Sequence, residues 1–400
     1  MFEFRGFMLP KSEISLILDL EEELGFSLNI HVDDGHRNGI FIKNNHIHAV
    51  NLTCKELQQV PTSLKKFTFI KFLSIQMNKL KELPDFLSEF KSLDTLIVNA
   101  NNFHKFPKII TKMPTLKELQ ITDNPFSEIP EEILNLTSLK HLSIDATNIK
   151  KFPEVLTHIP YLEYLGIGAN QLYTLPSSLV SLSSLKTLIV DQCNFSEFPE
   201  AITNLISLEG LNLSDNELST IPKSISNLKN LKWISLSNND FTQFPKRLTC
   251  VPSLEEIYLN RNNISTVPKS IGNLKNLKIL DLTANDIKSL PEEIGNLLKL
   301  ETLRLSSNNL TSIPSSLGEL KSLKYLRLSG NNLTSLPEEL GNLSSLEFIK
   351  FDIKKIDPDS VPGSIRQVQQ RWVERYLSGF GNAIDKMKGD VKDSYKNEKS

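Results

Sequence analysis

The pattern that decides the fold is found in Leu300-Glu-Thr-Leu303-Arg-Leu305-Ser-Ser-Asn308-Asn-Leu310-Thr-Ser-Ile313-Pro314. Its closing proline recurs every 23 residues, with no insertion or deletion along the series. The series consists of Pro61, Pro84, Pro107, Pro130, Pro153, Pro176, Pro199, Pro222, Pro245, Pro268, Pro291, Pro314 and Pro337. A fixed period of this length predicts a solenoid, because each unit can bury its apolar side only against its neighbours.

The repeated motif resembles the leucine-rich repeat over residues 47–356. It reads L-x-x-L-x-L-x-x-N-x-L followed by x-x-L-P, as in the 23-residue intracellular subtype shared by Ras-signalling scaffolds, plant disease-resistance-type proteins and prokaryotic arrays. The resemblance implies an α/β-type repeat solenoid. We expect a curved horseshoe with a parallel β-sheet on its concave face, an irregular or 3-10 convex side, and helical caps at both ends.

The position six residues before each proline is asparagine in ten of the thirteen repeats. An amide both donates and accepts, so stacked asparagines can satisfy the backbone groups of buried turns. Thr147 and Cys193 replace asparagine within the array, and Lys55 and Lys354 mark its two ends. The predicted ladder comprises Asn78, Asn101, Asn124, Asn170, Asn216, Asn239, Asn262, Asn285, Asn308 and Asn331.

The segments that flank the array predict caps. Residues 1–46 contain an amphipathic helix at 12–24, with Ser12 as its N-cap, and a hairpin that turns at Asn44-Asn45. Residues 357–380 predict a capping helix, and residues 381–400 a disordered polar tail. The apolar stripe of that helix consists of Ile365, Val368, Trp372, Val373, Leu377 and Phe380. The array between them holds 13 to 14 repeats.

Bulk composition excludes several classes of protein. The net charge is −2 and 23% of the residues are charged, so overall charge favours neither nucleic acid nor an anionic membrane as partner. No apolar run reaches the roughly 20 residues of a membrane-spanning helix. The N-terminus lacks a basic segment followed by an apolar core, and the three cysteines are widely separated. We expect a cytoplasmic protein.

Catalytic motifs are missing from the sequence. It has no phosphate-binding G-x-x-x-x-G-K-S/T loop, G-x-S-x-G elbow, H-E-x-x-H or C-x-x-C, and no cysteine follows Cys250. The His46-x-His48 pair, with His31, His36 and Cys54 nearby in sequence, indicates a histidine-rich surface hairpin rather than a metal site. The sequence therefore predicts a protein that is not an enzyme and that needs no metal or cofactor.

The outward positions of the strands are where a partner would be recognised. Large aromatic residues and arginines there are of the types that dominate binding hot spots, and aspartates and arginines occupy different parts of the array. The alternative is a solvated surface in which Asp281 and Glu256 act as local counter-ions. The residues selected for binding are Tyr164, Trp233, Tyr258, Tyr325, Arg261, Arg304, Arg327, Asp145, Asp191 and Asp215.

These observations favour a monomeric, non-enzymatic scaffold that binds a protein partner on its concave face. Resemblance to Ras-signalling scaffolds implies a small GTPase, or a regulator of one, as the partner. The alternative is a structural protein that self-associates through its amphipathic C-terminal helix. Nucleic-acid binding through Arg261, Arg304, Arg327 and Lys350 has little support, because the basic stretch is short and acids adjoin it.

Overall fold

The computed structural model describes residues 1–32, 37–352 and 354–371. The chain forms two compact units. The first unit comprises Met1–Leu218 with Pro222–Leu231, and the second comprises Ser219–Ile221 with the chain from Lys232 onward.

The first unit begins with a small hairpin and a helix, followed by a sheet. Strands β1 (Phe2–Phe4) and β2 (Phe7–Leu9) pair antiparallel, and helix α1 covers Lys11–Leu24. The sheet opens with β3 (Ile30–His31), β4 (Gly39–Lys43) and β5 (His46–Asn51), of which β4 and β5 are antiparallel. Parallel strands follow, one per repeat: β6 (Phe72–Ser74), β7 (Thr95–Ile97), β8 (Glu118–Gln120), β9 (His141–Ser143), β10 (Tyr164–Gly166), β11 (Thr187–Ile189) and β12 (Gly210–Asn212).

The second unit continues with the same arrangement of parallel strands. Each residue pairs with the one 23 positions later, as in Leu280 with Leu303, so equivalent side chains stand beside each other. Its strands are β13 (Trp233–Ser235), β14 (Glu256–Tyr258), β15 (Ile279–Asp281), β16 (Thr302–Arg304), β17 (Tyr325–Arg327) and β18 (Phe348–Lys350).

Every proline of the series stands directly before a short 3-10 helix. Their φ angles, such as −54° at Pro61 and −75° at Pro268, are those that the ring imposes, and no backbone N–H is lost from a sheet. These helices are Thr62–Lys66, Asp85–Glu89, Lys108–Lys112, Glu131–Asn135, Glu154–His158, Ser177–Ser181, Glu200–Asn204, Lys223–Asn227, Lys246–Cys250, Lys269–Asn273, Glu292–Asn296, Ser315–Glu319 and Glu338–Asn342. A shorter one, Pro358–Ser360, follows the last repeat. The predicted solenoid, with parallel strands on one side and 3-10 turns on the other, is confirmed.

The core of each unit lies between its strands and its 3-10 helices. Leu303 and Leu305 are fully buried while Arg304 points outward, as alternation along a strand requires. A second period of 46 residues places a buried phenylalanine before alternate prolines and a threonine in the 3-10 helix that follows. Each such threonine hydroxyl donates to the carbonyl three residues earlier, as from Thr157 to Glu154 at 2.8 Å. The phenylalanines, Phe106, Phe152, Phe198 and Phe244, are all core residues.

The segment before the repeats differs from the prediction in two details. Ser12 is not the N-cap of α1, because the helix begins at Lys11 and Pro10 holds the cap position without a side-chain hydrogen bond. The hairpin of β4 and β5 turns at Asn44 and Asn45, both with positive φ as tight hairpin turns require. Strands β1 and β2 were not predicted.

The C-terminal helix is described only in part. Residues 363–371 are helical at the end of the described chain, and Ile365 and Val368 are buried there. The other predicted stripe residues, Trp372, Val373, Leu377 and Phe380, and the tail 381–400 lie outside the described residues. The division into two caps, an array and a tail stays a prediction.

Candidate partner-binding face

In each unit, the outward side chains of its parallel strands (β6–β12 in the first, β13–β18 in the second), with those of the turn that follows each strand, are called the strand face. In each strand the middle residue enters the core and the first and third residues face outward. Within each unit, equivalent residues lie beside each other on neighbouring strands, so the face of that unit consists of columns with a step of 23 residues. Tyr164, Trp233 and Tyr325 belong to the column of first residues, and Tyr258, Arg304 and Arg327 to the column of third residues.

In the first unit, the face carries carboxylates that pack around two glycines. Asp145 and Asp191 are half-buried in the column on either side of Gly168, and Asp145 Oδ1 accepts a hydrogen bond from Gly168 N at 2.8 Å. A Cβ at Gly166 would lie 2.7 Å from Asp145 Oδ2, and a Cβ at Gly168 would collide with Asp191. The absence of side chains at these glycines is therefore what allows the carboxylates to fold against the sheet.

Burial changes the proton affinity of this acidic group. Burial raises the pKa of Asp145 to about 6, and the negative charge of Asp191 adds to the effect. Burial and the charge of Asp215 likewise raise the pKa of Asp191. Tyr164 is half-buried beside them, and burial followed by the charge of Asp145 raises its pKa. This part of the face presents poorly solvated negative charge, which favours a cationic group of a partner.

In the second unit, the aromatic residues are less exposed than their position on the strands suggests. Trp233 and Tyr258 are half-buried, whereas Tyr325 is 43% exposed. The Tyr258 hydroxyl donates to Glu256 Oε2 at 2.6 Å; burial and this hydrogen bond raise the pKa of Tyr258 to about 12. The Tyr325 hydroxyl donates to a carboxylate oxygen of Glu347 at 3.1 Å. The rings of Tyr258 and Tyr325 are therefore held in place, with their exposed surface available for contact.

The basic residues of the second unit differ in their partners. Arg304 Nη1 lies 3.1 Å from Asp281 Oδ2, so Asp281 is its counter-ion. Glu256, the other expected counter-ion, accepts the Tyr258 hydroxyl instead. The Arg327 guanidinium lies 5.6 Å from the ring centroid of Phe348, and Arg327 is exposed. Arg261 and, in the first unit, Asp215 are exposed in the turns that follow their strands, each with a positive φ.

The asparagines of the predicted ladder lie beneath this face and hold the turns. Asn124, which is 1% exposed, donates from Nδ2 to the carbonyls of Val98 at 3.1 Å and Ile121 at 3.2 Å, and accepts from Phe103 N at 3.2 Å. The other asparagines make equivalent bonds, as Asn308 does to Leu282 O at 2.8 Å. The ladder fixes the backbone from which the outward residues project.

Comparisons with known proteins agree with this architecture. A family model described as a leucine-rich repeat region matches residues 127–236 and 262–369, more than half of the chain. The chain belongs to the leucine-rich repeat family. The 23-residue intracellular subtype stays a prediction. No curated protein sequence matches the chain.

Solved structures of other leucine-rich repeat proteins resemble it. A leucine-rich repeat protein of Leptospira interrogans is 30% identical, with a TM-score of 0.63 over 76% of this chain and 83% of that one. A TDR receptor is 28% identical, with a TM-score of 0.59 over 76% of this chain and 60% of that one. The Listeria monocytogenes internalin InlF is 18% identical, with a TM-score of 0.65 over 86% and 96%, and shows the fold alone. The family supports a protein–protein interaction scaffold and is typically non-enzymatic.

Sequence reasoning missed a row of alternating charges at the edge of the leucine-rich repeats. The residue before each strand alternates between Lys and Glu from Lys140 to Glu347 in steps of 23, and this period was the available signal. Glu163 accepts hydrogen bonds from both Lys140 and Lys186 at 2.7 Å, and these bonds lower its pKa to about 2. Neighbouring repeats therefore present opposite charges to each other along this edge.

The histidine-rich hairpin lies at the start of the first unit. His46 Nδ1 lies 2.7 Å from Glu13 Oε1 of α1, and His48 is half-buried with a pKa lowered by burial and by Lys43. Within residues 1–32, 37–352 and 354–371, no group of three or more His, Cys, Asp or Glu converges to hold a metal ion. No helix of these same residues is long and apolar enough to cross a membrane.

Proposed function

We propose that this leucine-rich repeat protein is a non-enzymatic scaffold that binds a protein partner on its strand face. The observation that carries the proposal is the arrangement of Tyr258, Tyr325, Arg304 and Arg327 on strands β14, β16 and β17, within four successive strands of the second unit. These residue types dominate binding hot spots, and here their rings or charged groups are held by hydrogen bonds, an ion pair or an aromatic contact. Side chains held before binding lose less entropy when a partner arrives.

The finer parts of the proposal rest on the sequence. Resemblance to Ras-signalling scaffolds supports a small GTPase, or a regulator of one, as the partner class. We further propose a monomer that works in the cytoplasm without metal or cofactor, and that binds neither nucleic acid nor membrane. In the first unit, the proposed contacts are Tyr164 and the carboxylates of Asp145, Asp191 and Asp215.

Self-association through the C-terminal helix is the alternative function. Ile365 and Val368, the described members of its apolar stripe, are buried within the protein's own chain. Their burial supports capping, because a helix that paired with a second copy would keep its apolar stripe for that copy. The scaffold is therefore the function that we favour.

An affinity pull-down from source-cell lysate tests the proposal. The strand-face variant carries Trp233→Ala, Tyr258→Ala, Arg304→Glu and Arg327→Glu. We expect it to lose a protein that wild type recovers, because its aromatic contacts are gone and its charge is reversed.

The matched control makes the same charge change away from the strands. It carries Leu298→Ala, Lys246→Glu and Lys288→Glu, all exposed positions of the second unit. This control should recover the partner as wild type does, and circular dichroism should show that both variants are folded. If both variants recover the same proteins as wild type, the strand face of the second unit is not the binding site.

A further inference from the structure

We propose that the second unit binds an extended acidic segment of its partner along a basic stripe, defined as Arg304, Arg327 and Lys350. This inference rests on the proposed scaffold function and specifies the chemistry of the partner. The three residues are the last of strands β16, β17 and β18. Arg304 pairs in register with Arg327, and Arg327 with Lys350, so the three side chains project from neighbouring positions.

Spacing makes the basic stripe electrostatically unfavourable in the absence of a partner. Neighbouring strands lie about 4.8 Å apart, and like charges directly opposite each other on a sheet destabilise it. Asp281 stands beside Arg304 in the same column, and its carboxylate forms an ion pair with the Arg304 guanidinium. Its Oδ1 also accepts from Thr283 N at 3.0 Å, so its position is fixed. Asp281 therefore neutralises one end of the stripe.

The other two cations have no such counter-ion. Arg327 and Lys350 are exposed and form no ion pair within the described part of the chain. The carboxylates closest in sequence are engaged elsewhere. Glu347 accepts the Tyr325 hydroxyl, and Asp352 accepts from Gly330 N at 2.9 Å. A solvated surface with local counter-ions explains Arg304 but not Arg327 or Lys350.

A column of apolar and aromatic residues beside the stripe adds a second feature. Ile279, Tyr325 and Phe348 occupy the first positions of β15, β17 and β18, with Thr302 on β16 between Ile279 and Tyr325. These positions come two residues before the third positions. The two columns are thus about 6.6 Å apart, which is the separation of alternate side chains along a strand. The Phe348 ring supports the Arg327 guanidinium by a cation–π contact. The N–H groups at the edge of the guanidinium can then donate hydrogen bonds to a carboxylate.

These columns indicate the composition of the bound segment. A chain that crosses the strands between them places carboxylates toward Arg327 and Lys350, and apolar side chains toward Tyr325 and Phe348. Asp281, Glu347 and Asp352 would repel a continuous phosphate backbone, whereas a peptide carries charge at chosen positions only. We therefore favour an acidic peptide with interspersed apolar residues over a nucleic acid.

Selection from a random peptide display library tests the inference directly. The full chain serves as bait, at an ionic strength of about 0.1 M, where surface charges still interact. We expect the recovered peptides to be enriched in Asp and Glu, together with Phe, Leu or Ile, relative to the unselected library. Their affinity should fall steeply when salt is raised, because the contacts are exposed ion pairs.

A charge-swap experiment distinguishes a binding contact from a structural effect. The double variant Arg327→Glu, Lys350→Glu keeps Arg304 and its pair with Asp281. We expect it to bind a selected acidic peptide at least about tenfold more weakly, a loss of about 1.4 kcal/mol. It should also gain affinity for the same peptide with Lys in place of each Asp and Glu, which misfolding cannot produce.

Each remaining outcome decides between the inference and the function on which it rests. Peptides that compete with the natural partner but lack acidic enrichment would overturn the inference and leave the scaffold function standing. Peptides that bind wild type and the double variant equally would overturn it too. The inference also fails if no peptide is recovered, or if a single-stranded oligouridylate binds the stripe more tightly than the acidic peptides. If the strand-face variant recovers the same proteins as wild type, the proposed function loses its binding site on the second unit, and the inference falls with it.

Discussion

Single residues of the ladder show how one side chain can hold two repeats together. The amide of Asn124 donates across the repeat boundary to Val98 and within its own turn to Ile121, while its oxygen accepts from Phe103 N. Thr147, at the same position one repeat later, makes fewer bonds, since its single hydroxyl hydrogen is shared between Asn170 Oδ1 at 2.8 Å and Ile144 O at 3.3 Å. Threonine is therefore tolerated here, although it leaves more backbone groups without a side-chain partner.

Replacing Asn124 tests the energetic role of the ladder. Asn124→Ala leaves buried carbonyl and N–H groups unpaired, so we expect it to lower the free energy of unfolding by about 2–4 kcal/mol. Asn124→Thr should cost less than Asn124→Ala, as the natural Thr147 suggests. Urea denaturation measures both. Asn102→Ala, at an exposed neighbour, is the control, and an equal loss in that control would contradict the account.

The carboxylate of Asp145 makes stability depend on pH. Its pKa in the folded protein, about 6, lies above the ordinary value of 3.8, so the folded state holds the proton more tightly than the unfolded chain. Stability is therefore lost as pH rises through about 6 and is regained as pH falls toward 4. Asp145→Asn removes the charge and keeps an oxygen for Gly168 N. We expect the variant to be more stable than wild type by about 1 kcal/mol near pH 8.

Thermal unfolding at several pH values checks this prediction. The difference between Asp145→Asn and wild type should shrink as pH falls and be small near pH 4. Glu217→Gln, an exposed charge removal in the same unit, should change stability little at any pH. A stabilisation by Asp145→Asn that stays constant from pH 4 to 8 would show that ionisation of Asp145 is not its cause.

The sequence predicts the place of these residues better than their environment. The 23-residue repeat and the alternation of inward and outward residues place Asp145, Tyr258 and Arg304 on the outward side of the strands and of the turns that follow them. The half-burial of Asp145 depends on the missing side chain of Gly166 in the next repeat, as that of Asp191 depends on Gly168. The hydrogen bond between Tyr258 and Glu256 depends on rotamers that the pattern does not encode. The sequence pattern therefore does not predict which side chains stack against a residue or which rotamer that residue adopts.

Among the secondary-structure elements, the 3-10 helices of the last repeats pack more closely than the others. Gly272, Gly295, Gly318 and Gly341 hold the fourth position of four successive 3-10 helices. A Cβ at Gly272 would lie 2.8 Å from Glu293 O, and one at Gly318 would collide with Glu339 O. Close approach of neighbouring backbones therefore requires glycine at the first three of these positions, Gly272, Gly295 and Gly318.

Substitution of Gly318 tests this packing. Gly318→Ala forces two 3-10 helices apart, and we expect it to lower the free energy of unfolding by about 1–3 kcal/mol. Gly341→Ala is the matched control, because a Cβ there lies 3.2 Å from Ser364 Oγ, a side-chain atom that can move. Chemical denaturation compares the two. A similar loss in both variants would indicate that the backbone approach at Gly318 is not limiting.

Helix α1 docks on the first repeat through carboxylates. Glu23 accepts from Thr62 N at 2.7 Å and from Ser63 N at 2.8 Å, the first N–H groups of a 3-10 helix. Glu23→Ala removes this cap, which is worth about 1 kcal/mol. Amide hydrogen exchange in Thr62–Lys66 should then be about fivefold faster, since 1 kcal/mol corresponds to that factor. Glu22→Ala, at an exposed position, should leave exchange unchanged; equal acceleration would refute a specific role of Glu23.

Element bounds followed from the sequence wherever the repeat imposed them. Each proline closes the repeated motif, and a 3-10 helix begins directly after it. Helix α1 begins one residue before the predicted helix. Strands β1 and β2 escaped prediction because Phe2–Phe4 and Phe7–Leu9 are three residues each, and their turn at Arg5-Gly6 carries no repeat signal. Periodicity makes this chain predictable, and its flanks lack that support.

For the whole molecule, the repeat determines the fold and leaves the partner undetermined. Inward leucines such as Leu280 and Leu303 are equivalent in every repeat, so they specify stacking. Outward residues such as Trp233 and Arg327 can change without disturbing that core, and for this reason we propose that they carry recognition. The first unit presents carboxylates on its strand face and the second presents the basic stripe. Family membership alone does not explain that difference.

Site-specific photo-crosslinking in source cells tests the central claim, that the strand face binds the partner, most directly. A photoreactive phenylalanine replaces one tyrosine at a time. Tyr164, Tyr258 and Tyr325 lie on the face, whereas Tyr161 and Tyr173 lie outside the strands and are 61% and 67% exposed. We expect a discrete crosslinked product from Tyr258 or Tyr325, and none from Tyr161 or Tyr173. Crosslinks from Tyr161 or Tyr173 alone would place the partner elsewhere and contradict the account.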